Sequence, residues 1–125
     1  MFNTPPVFAV YTSMLTMQWL KDLGGIKAIE KENEKKAIVM YSEIDLNPLF
    51  NGFAAKEDRS KMNATFTLEN ENLKETFDAM CKEGGINGIN GHRSVGGYRA
   101  SMYNALSLDS VKVLVEIMSE LESKA

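Results

Sequence analysis

Apolar residues fall on nearly every face of residues 7–23, with Val7, Phe8, Val10, Tyr11, Met14, Leu15, Met17, Trp19, Leu20 and Leu23 among them. A helix is predicted here, and one apolar stripe would suffice to hold it on a surface. The excess points to cover on several sides, from a second domain or a partner subunit. Thr4 ahead of Pro5-Pro6 is a candidate cap, with proline at the first helical position, where its missing N–H is no loss. Gly24-Gly25 closes the helix, and a second is predicted over residues 26–41. It sets Ile26, Ile29, Ala37 and Met40 against interleaved charges, with Glu32 and Lys36 as an i,i+4 pair, the pattern of a helix with a solvated outer face.

Beyond the loop marked by Asn47-Pro48 and Asn51-Gly52 the period changes. Met62, Ala64, Phe66 and Leu68 alternate with Asn63, Thr65 and Thr67, which predicts a half-buried strand. A helix over residues 71–82 carries Leu73, Phe77 and Met80, and Gly84-Gly85 stops it. A short strand is predicted over residues 86–89, a glycine-rich turn over 91–97 and a strand over 98–103. The last helix, residues 108–123, places Val111, Leu114, Val115, Met118 and Leu121 on one stripe. The fold class is therefore α+β: two N-terminal helices lead into a small β-α-β-β-α domain whose mainly antiparallel sheet is packed by helices. Residues 1–41 are expected to form the helical segment and residues 42–125 the small α+β domain.

With 125 residues, 44% hydrophobic and 25% charged, the chain has one domain's worth of sequence, too little for a complete large enzyme. Fourteen Lys plus Arg against seventeen Asp plus Glu give a net charge of -3, so no nucleic-acid partner is expected and any anion site must be local. The single Cys81 and single His92 exclude an intrachain disulfide and a Cys/His zinc set, which favours the cytoplasm. The run over residues 7–20 is interrupted by Tyr11, Thr12, Ser13, Thr16 and Gln18, and no membrane span or signal peptide is expected.

One segment carries candidate chemistry. Gly91-His92-Arg93-Ser94-Val95-Gly96-Gly97-Tyr98-Arg99 groups two permanent cations and a histidine among glycines that let backbone approach a ligand. Arginine binds carboxylate or phosphate through a planar fork, and His92 can add a hydrogen bond, so two arginines from adjoining elements can grip both ends of a dicarboxylate or phospho-acid. The same pattern also suits an ordinary polar turn and a surface strand residue. His92 and Ser94, neighbours on an extended turn, are not expected to face each other as a nucleophile pair. A non-catalytic module for small anionic metabolites remains open at this point.

Five stretches carry a family likeness: Asn3-Thr4-Pro5-Pro6-Val7-Phe8; Trp19-Leu20-Lys21 through Gly24-Gly25; Asp58-Arg59-Ser60 with Met62-Asn63 and Phe66; the block from Gly91 to Gly97; and Arg99-Ala100-Ser101 with Tyr103-Asn104-Ala105. In these the chain resembles the C-terminal, small-domain part of the phosphoserine aminotransferase family, fold type I enzymes that use pyridoxal phosphate. The resemblance implies reversible amino transfer from glutamate to 3-phosphohydroxypyruvate in serine biosynthesis, by a homodimer acting on small phosphorylated and dicarboxylic amino and keto acids. It implies that His92 and Arg93 bind the substrate's phosphate or distal carboxylate and that Arg99 holds its α-carboxylate. It also implies that Asn3 and Thr4 reach across the dimer to the cofactor phosphate, which leaves Thr4 two candidate roles, cap or phosphate ligand. In the family the Schiff-base lysine lies upstream of the Asn-Thr-Pro-Pro motif, so these 125 residues alone are expected to be inactive.

Overall fold

The computed structural model describes residues 3–125, which divide by contact into two compact units, Met1–Glu32 and Asn33–Ala125. The first unit holds α1 (Val7–Asp22) and the opening turns of α2 (Ile26–Leu46). No residue of α1 is buried; Phe8 is 80% exposed and Met17 65%. The helix starts two residues later than the proline pattern suggests. A residue that precedes proline is disfavoured in the helical region, so Pro5, followed by Pro6, cannot join the helix. Pro6 is the N-cap position, and no side chain caps the first turn. The expectation of Thr4 as cap is thus corrected.

The second unit is built on β1 (Phe50–Gly52), β2 (Asn63–Leu68) and β3 (Tyr98–Ser101), an antiparallel sheet in the order β1-β2-β3. The period of two in β2 does what it predicts: Ala64, Phe66 and Leu68 are buried, while Asn63, Thr65 and Thr67 alternate with them toward the other face. Phe50, Tyr98 and Ala100 join the inner face, and the core is completed by Phe77 and Cys81 of α3 (Lys74–Glu83) and by Val111, Leu114, Met118 and Leu121 of α4 (Leu108–Lys124). Phe50, Phe66, Phe77 and Tyr98 pack mostly edge to face, with ring centroids as close as 4.9 Å between Phe77 and Tyr98. Each such pair adds about 0.5–1.5 kcal/mol beyond its buried area. Burial pushes the Cys81 thiol up to about 11, and an adjacent Asp78 adds to the effect, so it is a structural thiol.

Several expected elements are redrawn. Residues 86–89 form no strand, because Gly85 (φ +75°) and Gly88 (φ +70°) turn the backbone out of the extended region. That segment meets β3 through the Asn90–Tyr98 bridge and the Arg99 N–H, which donates to the Ile89 carbonyl at 2.7 Å. The third strand is instead β1, hidden in sequence between two turn signals. The second helix continues past residue 41 because Met40 and Ile44, four apart, are both buried; it ends ahead of Asn47-Pro48.

Lys36 departs furthest from expectation. It is not on a solvated face but is 1% exposed, and its Nζ donates to the carbonyls of Met102 (3.3 Å), Tyr103 (2.8 Å) and Leu106 (3.1 Å). Asn33, one turn earlier, donates to Asn104 Oδ1 at 2.8 Å. These bonds draw the chain away from the sheet after Ser101, which is why β3 stops short of Tyr103.

The crossing between β1 and β2 is pinned by Arg59. Its guanidinium makes two bonds to Asp45 of α2 (2.7 and 2.9 Å), lies over the Tyr41 ring at 4.6 Å, and sits where a Cβ on Gly52 would come within 2.7 Å of it. Hydrogen bonding to Arg59 holds the Asp45 carboxyl down at about 2. A depressed carboxyl contributes stability above its unfolded value, about 3.8, and loses it as pH falls through about 2. Because the pair is partly solvated, its contribution is screened to about 1 kcal/mol. Asp45→Asn should therefore lower urea stability at pH 7 and converge with wild type as pH falls from about 4 to about 2. A gap that persists unchanged at the acid end would refute the linkage.

Candidate anion-binding site

The sequence between Glu83 and Asp109 contains no acidic residue, and its only ionisable cations are His92, Arg93 and Arg99. A chain of net charge -3 thus keeps a local positive stretch. Its backbone is closed on itself: the Gly91 N–H donates to the Gly97 carbonyl at 2.8 Å, and the His92 carbonyl accepts from Val95 and Gly96 at 2.9 and 2.8 Å. Two of the glycines are obligatory. A Cβ on Gly91 would stand 2.1 Å from the Gly96 carbonyl oxygen, and one on Gly97, at φ +63°, would stand 2.7 Å from the Phe66 carbonyl oxygen. The loop is therefore laid against β2, close to Thr67.

Within it His92 and Ser94 do face each other, which corrects the expectation that they would not: Nδ1 lies 2.8 Å from Ser94 Oγ and accepts the Ser94 N–H at 3.3 Å. A backbone N–H can only donate, so Nδ1 is the acceptor and the neutral ring carries its proton on Nε2. That leaves Nε2–H as a donor for a ligand. No carboxylate contacts the ring among the described residues, and the His92–Ser94 contact serves the turn.

Arg99 stands on β3 directly across from Thr65 of β2. Among the described residues, neither Arg93 nor Arg99 makes a side-chain hydrogen bond or ion pair, whereas both terminal nitrogens of Arg59 are held by Asp45. A recess of about 250 Å³ on the sheet side away from the helices is lined by Phe53, Thr65, Thr67, His92, Val95 and Arg99. The structure thus brings His92 and Arg99 to one recess. Arg93 is exposed on the same loop and does not line it. A second cavity, about 290 Å³, lies along β3 beside Ile86, Ile89, Met102 and Leu114, and Arg99 borders it too. Asn3 and Thr4 belong to the first unit; both are exposed, and their side chains make no hydrogen bond among the described residues. The α1 first turn beside them holds no acidic residue. Among the described residues no cluster of three or more His, Cys, Asp or Glu could hold a metal, and no helix is long and apolar enough to cross a membrane.

An α+β unit that aims unpaired cations from a glycine-locked loop and an adjoining strand fits a known class of protein. The class-V aminotransferase family model matches residues 1–114, and the chain belongs to that family. More particularly, its relatives are phosphoserine aminotransferases. The chain is 66% identical over 124 residues to the phosphoserine aminotransferase of Flavobacterium psychrophilum, covering 99% of this chain and 35% of that protein. A solved phosphoserine aminotransferase, described for radiation damage of its Schiff base, superposes with a TM-score of 0.93 at 49% identity, covering 99% of this chain and 35% of that one. The pyridoxal-phosphate-bound enzyme from Trichomonas vaginalis gives 0.86 at 38% identity, over 95% and 34%. The chain therefore spans about a third of the length of the relatives it matches. The α+β class, with four helices and a three-stranded antiparallel sheet, agrees with those structures.

Proposed function

We propose that this chain works as the C-terminal portion of a phosphoserine aminotransferase and supplies its substrate clamp. The observation that carries the reading is the pair of unpaired arginines on an acid-free, glycine-locked segment, with His92 lining the same recess as Arg99. Arg99 holds the α-carboxylate common to the amino and keto acids. His92 and Arg93 take the far end, the phosphate of phosphoserine or the distal carboxylate of glutamate. Arginine suits both tasks because its planar fork binds either anion at two points and stays charged at any working pH.

In a homodimer, Asn3 and Thr4 would hold the cofactor phosphate of the other subunit. The donor set fits that group: an amide, a hydroxyl without a capping role, and an uncapped helix start with no acid in its first turn. Pyridoxal phosphate, when bound, supplies the electron sink that lets an amino group leave one acid and join another. The chain's own residues bind and orient the two acids for that exchange. We place the protein in the cytoplasm, on its one cysteine, buried and unpaired.

Arg93→Ala in the dimeric holoenzyme should raise KM for phosphoserine about tenfold, since a charge-assisted bond contributes about 1.5–3 kcal/mol. An unchanged KM for phosphoserine would remove Arg93 from the site.

A further inference from the structure

The open face of the sheet offers more than Arg99. Thr65 and Thr67 alternate along β2 on the side away from the core, and both line the 250 Å³ recess with Arg99 and His92. Thr65 is the cross-strand partner of Arg99, and directly opposed residues have Cβ atoms about 4.5–5.5 Å apart. Neither threonine hydroxyl makes a hydrogen bond among the described residues. That differs from the hydroxyls of Thr12 and Thr16, which bond backbone carbonyls of their own helix, and of Ser101, which bonds Asn63. Thr67 lies under the glycine loop, its Cγ2 3.0 Å from where a Cβ on Gly97 would sit. Thr65 shares the recess with Phe53, which is 63% exposed.

We infer that Thr65 is a second carboxylate donor of the substrate site, its hydroxyl bonding the same α-carboxylate that Arg99 holds. This rests on the reading of Arg99 given above. A carboxylate presents two oxygens with about four lone pairs, so a bidentate guanidinium leaves room for one more donor. A hydroxyl fixed on a strand supplies it without adding charge or a mobile side chain, and it sets the tilt of the carboxylate over the sheet. The role is positional and common to every substrate, because every substrate carries that carboxylate.

The test compares Thr65→Val, which keeps the shape and removes the hydroxyl, with Thr65→Ser, which keeps the hydroxyl, in the holoenzyme. Thr65→Val should raise KM about tenfold for glutamate and phosphoserine alike, the loss of one bond to a charged group, with kcat within about twofold. Thr65→Ser should stay within about threefold of wild type. If Thr65→Val leaves both KM values unchanged while Arg99→Lys raises them, the carboxylate is held without Thr65 and the inference fails. If Arg99→Lys also changes neither, the reading of the site itself has failed, and this inference with it. A KM rise in Thr65→Val that Thr65→Ser does not reverse would mean that repacking, not the hydroxyl, is responsible, and would equally overturn it.

Discussion

Arg99→Ala in the holoenzyme should lower kcat/KM by about a hundredfold or more, and by the same factor for glutamate and for phosphoserine. Two parallel charge-assisted bonds are lost, each contributing about 1.5–3 kcal/mol, and the methyl group left behind offers the carboxylate nothing. Equality between substrates is the sharper part of the result. Arg99 is assigned to the group all substrates share, so its removal cannot discriminate among them, whereas removal of Arg93, which meets a phosphate in one and a carboxylate in the other, should cost the two unequally. Arg99→Lys should fall between, because the ammonium keeps the charge but loses the fork. Steady-state kinetics with both amino donors read this directly. Clearly unequal deficits for the two substrates would move Arg99 to the distal end of the site and exchange its role with that of the His92 loop.

The second large effect is on stability. Lys36→Met should cost about 3 kcal/mol, because the carbonyls of Met102, Tyr103 and Leu106 lose a shared donor and a buried unpaired carbonyl costs about 1–3 kcal/mol. Methionine fills most of the volume, so lost packing contributes little. For a unit of roughly a hundred residues this corresponds to a fall in Tm of about 15 °C. Calorimetry on the wild-type protein and the Lys36→Met variant would measure it, and a fall under about 3 °C would show that water replaces the ammonium at those carbonyls. The same substitution frees the segment after β3, so it tests whether the exit of the Arg99 strand needs that anchor.

Lys36 also shows where the sequence stops being readable. A lysine four residues from Glu32 on a helix of mixed charge has every local mark of a solvated side chain. Its burial is decided by a loop nearly seventy residues later, which no window of sequence contains. β1 was obscured for the opposite reason. Phe50-Asn51-Gly52 is three residues long and flanked by turn formers, too short to show a period, and it exists because β2 offers it an edge. β2 itself was legible because its alternation runs unbroken from Met62 to Leu68 and one face is wholly buried. The His92 to Arg99 cluster was legible as chemistry, since arginine and histidine among glycines are rare enough to notice. The Nε2 tautomer and the Thr65 to Arg99 register depend on backbone geometry and strand pairing, and needed coordinates.

The exposed apolar surface of α1 has a practical corollary. Trp19 is the chain's single tryptophan, it lies on that helix, and it is 39% exposed, while the tightly packed aromatic rings of the core are phenylalanine and tyrosine. Indole emission therefore reports first on the surroundings of α1 rather than on the packed rings of the sheet. Trp19 thus gives the molecule an optical signal for whether its N-terminal helix is covered, separate from the packed rings of the sheet-bearing unit.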